Sequence, residues 1–310
     1  MAEPNVLASP LLRLPLEIRL LIYEYLLLPS TSPSAGQGTS VTNLLSDYHT
    51  YHSSDTNNSP FTLSVRTIDP YLGAHSSRAW RRRSTYYVRT GILTGASGPF
   101  LTTTTPTTYR VLLSPYSAHL RHTVPSLLAI NRQIHAEASK VLYSTYTFSF
   151  HTSIEAGVPF LSDLTPLSRT HIRHIGLAKK GFPYTKEFDR AEWSSLMSYL
   201  SSNLCLRSLD LSVVAGRPGD DGWDGIAPIT ASDFGLMQRM KSEWGSEVGG
   251  LDLEWVEQLF GVRGLEKVNV RALVEHCPRP MSEMMAFWIA FSRSVEGGFG
   301  EWVRGVMVGN

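Results

Sequence analysis

The sequence predicts an α+β protein: a helical element, interrupted by a small antiparallel β insertion, that continues into an irregular, repeat-like α/β half. Three observations carry this prediction. Apolar residues recur at helical spacing in 14–28 and again in 127–143. Between those helices, short stretches alternate apolar and polar residues as half-buried strands do. From residue 165 onward, a Leu-x-x-Leu-x-Leu pattern occurs in three copies with amphipathic helices before the second and third. The expected organisation is a leader over 1–13, a helical element over 14–150 and an α/β half over 151–310 that ends in a helical cover.

In the first helix Ile18, Leu21, Ile22, Tyr25 and Leu26 fall at i, i+3, i+4, i+7 and i+8, one face of an α-helix. Leu20, Leu27 and Leu28 widen that stripe, so the helix is expected to pack inside a larger assembly as an anchor. Pro15 suits the first turn, where its missing N–H has no intrahelical partner to lose. Glu17 sets negative charge near the positive end of the helix dipole, and Pro29 ends the helix.

Residues 29–60 are rich in Ser, Thr, Asn, Gly and Pro, too poor in apolar groups to offset their ordering entropy, and read as a flexible segment. The β insertion, 61–125, contains strand-like Phe61–Ile68, Tyr86–Leu93 and Tyr109–Leu113. Ser126 is placed to cap a helix presenting Leu127, Ile130, Ile134, Ala138, Val141 and Leu142, and Tyr146–Phe150 then alternates as a strand. The two helices are expected to pack together, with the insertion projecting from their connection.

The three repeat-like copies are Ile172-x-x-Ile175-x-Leu177, Leu206-x-x-Leu209-x-Leu211 and Leu265-x-x-Val268-x-Val270, at unequal spacing. Trp193, Leu196, Met197 and Leu200 form one intervening helix, with Asp189 and Glu192 in capping-box spacing. Leu253, Val256 and Phe260 form the other, with Gly261 as its C-cap. Such alternation of helix and strand favours parallel pairing. Phe234, Met237, Met240 and Trp244 mark a further helix, and Ser282 caps one carrying Met285, Trp288 and Ile289. Trp302, Val303 and Val306 supply a terminal cover.

Composition narrows function by exclusion. A net charge of +1 gives no global electrostatic case for nucleic acid or an anionic membrane, and neither partner is expected. Two cysteines, Cys205 and Cys277, cannot build a disulfide framework, which points to an intracellular chain, cytoplasmic or nuclear. No basic n-region precedes an apolar h-region with a cleavage site, so no secretory signal is expected, and the apolar runs are too short to span a bilayer.

Candidate chemistry is sparse. Arg78-Ala79-Trp80-Arg81-Arg82-Arg83-Ser84 is the densest charge cluster; it reads as a solvated loop, a phosphate-binding or import patch, or a basophilic phosphosite at Ser84 recognised through Arg81 and Arg82. The pairs His49/His52, His119/His122 and His171/His174 lack the close cysteines of a zinc site, and the last pair, read within one strand, falls on opposite faces, so no metal is expected. Gly95-Ala96-Ser97-Gly98-Pro99 fails the nucleophile-elbow pattern at its last position, and Asp220 and Asp221 are adjacent rather than opposed. No phosphate-binding or dinucleotide loop is present. The expectation is a protein without catalytic residues or cofactor. Among Glu17, Arg19, Arg132 and Glu137, at least one ion pair is expected to cross between the two helices.

Leu14-Pro15-Leu16-Glu17-Ile18-Arg19, continuing through Ile22-Tyr23-Glu24-Tyr25-Leu26-Leu27, resembles the opening helix of F-box-like domains in fungal proteins of unassigned activity. Asn131-Arg132-Gln133-Ile134-His135-Ala136-Glu137-Ala138, followed by Val141-Leu142-Tyr143, is similar to a second helix of the same families. The resemblance implies a substrate receptor for a cullin ubiquitin ligase. Leu14, Pro15, Leu16, Ile18, Ile22 and Leu26 would then dock a Skp-type adaptor, and the C-terminal half would recognise the target protein. The alternative is a scaffold or binding protein in which these helices are only structural. Exposure discriminates the two: docking leaves Leu14 and Pro15 at the surface, and a scaffold buries them.

Overall fold

The computed structural model describes residues 10–31, 59–67, 109–114, 116–151, 154–179, 187–219, 225–244 and 253–308. After a 3-10 turn over Pro10–Arg13 come α1 (Leu16–Leu27), β1 (Thr62–Thr67), β2 (Tyr109–Leu112), α2 (Leu120–Leu128), α3 (Arg132–Thr145) and β3 (Thr147–Phe150). The chain continues through α4 (Gly157–Asp163), α5 (Pro166–Thr170), β4 (His174–Lys179), α6 (Glu187–Asn203) and β5 (Ser208–Pro218). It ends with α7 (Ala231–Trp244), α8 (Glu254–Leu259), β6 (Lys267–Cys277), α9 (Glu283–Ser294), a kinked turn over Val295–Phe299 and α10 (Gly300–Met307). No described helix is long and apolar enough to cross a membrane.

These strands form one six-stranded sheet in the order β2-β1-β3-β4-β5-β6. Its last five members run parallel, and β2 alone is antiparallel, at the edge beside β1. The expected α+β division is therefore overturned. β1 and β2 do not form a separate antiparallel insertion, because β1 pairs in parallel with β3, Leu63 beside Phe148, and joins the sheet of the C-terminal strands. The fold is α/β. Alternation in 61–68 signalled a strand but carried no information about a partner so distant in sequence. The parallel pairing expected for the three repeat-like strands is present between β4, β5 and β6.

Period-two alternation divides the sheet into unlike faces. One face carries Leu63, Phe148, Ile175, Leu209 and Val268 in a single row, all buried. Phe150, Leu177, Leu211 and Val270 form the next row. Helices cover this side. Phe160 of α4 lies 5.3 Å from Phe148, and an aromatic cluster of Trp193, Trp255, Phe299, Trp302 and Phe234 closes the far end. The opposite face is polar, with Ser149, Gly176, Asp210 and Asn269 in register. β5 continues past its pairing with β4, and α9 takes the vacated place. There Ser292 Oγ accepts the Gly216 N–H at 3.0 Å, and the Trp288 ring occupies the space a Gly216 side chain would need.

Several local signals resolve differently in the structure. Ser126 lies inside α2, which begins earlier than expected; Asn131 caps α3 instead, its Oδ1 accepting the Ile134 N–H at 2.8 Å. Asp189 sits within α6, not ahead of it. The left-handed glycine after α8 is Gly264, φ 77°, rather than Gly261. Ser282 caps α9 as expected, accepting the Met285 N–H at 3.2 Å. The terminal cover is α10, whose Trp302, Val303 and Met307 are buried, and Val308 bridges to Leu265 beside the sheet edge. The strand expected over 86–93, most of the 29–60 segment and residues 1–9 of the leader lie outside the described residues.

Gly216→Ala is expected to lose about 1–3 kcal/mol, since a methyl there displaces the buried Trp288 ring in a close-packed region. Urea unfolding of the variant beside the parent chain measures it, and equal midpoints would contradict this packing.

Candidate protein-interaction site

Helix α1 is apolar on nearly every side: Leu16, Ile18, Leu20, Leu21, Ile22, Tyr23, Tyr25, Leu26 and Leu27 lie within it. It is turned so that Arg19, Tyr23 and Leu27, at i, i+4 and i+8, face the protein and are buried. Leu20 and Leu26 flank that side and pack on the core. The outward side carries Ile18 (44% exposed), Leu21 (60%) and Tyr25 (88%), at i, i+3 and i+7, and Leu14 (37%) and Leu16 (45%) are exposed at its N-terminal end. Pro15 is also exposed and Ile22 half-buried. The stripe expected to anchor the helix is thus largely its solvent side, a correction to the packing read from periodicity. Of the residues implied for docking, Leu14, Pro15, Leu16 and Ile18 are at the surface, while Ile22 and Leu26 form its shoulder. Large apolar side chains exposed at helical spacing on a surface helix are what interaction surfaces present.

The inward side is held by a polar contact. Arg19 Nε and Nη2 donate to the two carboxylate oxygens of Glu137 on α3, at 2.9 and 2.7 Å. Arg19 Nη1 donates to the Leu14 carbonyl at 2.6 Å and reaches that of Leu12 at 3.5 Å. Tyr23 Oη and Gln133 Nε2 each donate to Glu137 at 3.0 Å. The Arg19 hydrogen bonds, helped by Gln133 and Tyr23 and opposed by burial, hold the Glu137 carboxyl down at about 2. Burial, with the same carboxylate beside it, pushes the Tyr23 phenol up to about 12. This is the cross-helix ion pair expected among four charges; Glu17 and Arg132 are exposed.

The far end of α1 is tied to the same framework. Tyr146, which joins α3 to β3, donates its hydroxyl to the Leu27 carbonyl at 2.7 Å. Ser30 donates both N–H and Oγ–H to the Tyr116 carbonyl, each at 2.9 Å. Helices α1, α2 and α3 pack on one another through Tyr23, Leu27, Leu120, Leu127 and Ile134. The break between α2 and α3 leaves Ile130 56% exposed.

Other candidate residues stand apart from this site. Ser84 with Arg81 and Arg82, the rest of the 78–84 cluster, His49, His52, Gly95–Pro99, Asp220 and Asp221 lie outside the described residues. His171 follows α5 and precedes β4, so it does not share a strand with His174; burial lowers the pKa of both. Cys205 is exposed and Cys277 buried, and burial pushes the Cys277 thiol up. Among the described residues, no group of three or more His, Cys, Asp and Glu is placed to hold a metal ion.

Sequence reasoning missed two buried features. Lys179 ends β4 at 3% exposure, its Nζ 4.8 Å from the Trp193 ring centre and 6.0 Å from that of Trp255. The only signal was a lysine closing the apolar run Ile175–Ala178. Ser149 is buried on the polar sheet face with its hydroxyl unpaired, beside Gly176, whose missing side chain leaves room for the His151 ring. Alternation gave Ser149 an orientation but no burial.

No family model matches the chain, and no curated protein or solved structure matches it either.

Because its pKa is depressed from the ordinary 4.5 to about 2, Glu137 contributes stability that is present above 4.5 and lost as pH falls toward 2. Glu137→Gln is therefore expected to flatten the dependence of unfolding free energy on pH across that window. Urea titrations at stepped pH measure it, and parallel acid limbs in both proteins would contradict the assignment.

Proposed function

We propose that this chain is a non-enzymatic protein–protein interaction protein, an F-box-like substrate receptor that docks on a Skp-type adaptor of a cullin ubiquitin ligase. The observation that carries the reading is the outward stripe of α1, Ile18, Leu21 and Tyr25, together with Leu14, Pro15 and Leu16 exposed at its N-terminal end. Such a stripe is suited to helix-in-groove recognition, in which anchors at helical spacing enter an apolar groove of the partner. A scaffold role with purely structural helices would favour burial of Leu14 and Pro15, and both are exposed. The reading implies an intracellular location, where the ligase components reside.

Target recognition falls in this reading to the polar face of the sheet. Asp210 and Asn269 stand side by side there on β5 and β6, with Arg271 on the same face and 3.9 Å from Asp210. Mixed charge on a rigid parallel sheet favours selection of a partner over non-specific adhesion.

The test uses the full chain and a purified Skp-type adaptor. Ile18→Glu/Leu21→Glu places two charges on the exposed stripe and is expected to weaken adaptor binding at least about tenfold with an unchanged melting temperature. Titration calorimetry reads the affinity and co-purification reads the cullin. A parent chain that binds neither adaptor nor cullin would overturn the reading.

A further inference from the structure

Because α1 is apolar on nearly every side, burial alone does not choose its rotation. Turning the helix to bury Ile18, Leu21 and Tyr25 in place of Leu20, Tyr23 and Leu27 would remove a similar set of large side chains from water. Arg19 is the one basic residue within α1, and it breaks that tie. Its guanidinium meets both oxygens of Glu137, and the same group holds the Leu14 carbonyl, so the pair sets the rotation of the helix and the course of the turn before it. Tyr23 and Gln133 complete the Glu137 carboxylate, leaving a matched polar socket in an otherwise apolar contact.

We propose that Arg19 and Glu137 act as a rotational key: they are positioning residues that decide which side of α1 faces outward, without being part of the outward surface themselves. Buried ion pairs are poor sources of net stability, and in some folds they select one packing among near-equals. The inference concerns the free chain, and it stands or falls independently of adaptor docking.

Thiol labelling of the full chain tests it in a Cys205→Ser background. Leu21→Cys reports the outward side and Leu27→Cys the inward side, and with the key intact Leu21→Cys is expected to label at least about a hundredfold faster. Arg19→Met/Glu137→Leu removes both charges and leaves only the neutral Tyr23 hydroxyl, Gln133 amide and Leu14 carbonyl without these partners, so a cooperative melt is expected to persist while the rate ratio falls at least about tenfold. An unchanged ratio would overturn the proposal. If the double variant melts without cooperativity, Glu137→Gln takes its place: a ratio at least about threefold lower supports the key, and the parent ratio overturns it. Adaptor titration beside the labelling separates the two readings. A collapsed ratio in a chain that never bound adaptor keeps the key and discards the docking.

Discussion

One charged contact connects two helices that are far apart in the chain, and the arrangement of the N-terminal half depends on it. Arg19 and Glu137 meet in bidentate geometry, with every strong acceptor position of the carboxylate occupied by Arg19, Tyr23 or Gln133. A half-satisfied pair at this depth would weaken the fold, since buried charge without partners is costly. Fully satisfied, it joins α1 to α3, and α3 runs directly through Tyr146 into β3. Tyr146 in turn holds the end of α1. The outward stripe therefore rests on the sheet itself.

That sheet is a frame with unlike sides. Apolar rows from β1 to β6 lie under α4, α6 and an aromatic cluster drawn from α6, α7, α8 and the C-terminal turn. Large rings in tilted and edge-on contact provide both buried area and a fixed geometry. On the other side the side chains are small or polar, and α9 closes only the end where β5 outruns β4. Parallel sheets serve enzymes and binding proteins alike, so the architecture by itself does not decide function. What distinguishes this chain is where it places apolar surface outside its core.

Much of the architecture was legible where signals are local. The periodicity of α1 and α3, the parallel strands β4 to β6, the Ser282 cap and the α10 cover all follow from spacing and turn chemistry. A cross-helix ion pair among Glu17, Arg19, Arg132 and Glu137 followed from charge placement on helices expected to meet, but not which two residues form it. The rotation of α1 was not legible, because a periodicity argument needs one polar side and this helix has almost none. The membership of β1 in the main sheet was hidden for a different reason. Strand pairing is non-local, and a half-buried strand next to a neighbouring strand reads as a hairpin until its true partner is known. Ser126 failed as a cap because the chain is already helical at Leu120, and Asn131 occupies the first break where a side chain can reach a free N–H.

The wide separation of Arg19 from its partner, 118 positions along the chain, has a consequence for biosynthesis. At about 5–20 residues per second, the ribosome needs roughly 6–24 s after completing Arg19 to add Glu137. Throughout that interval a nascent, almost wholly apolar segment waits without the partner that fixes its orientation. Holdase chaperones favour such segments, and nascent-chain maturation would be gated by the arrival of one acidic side chain.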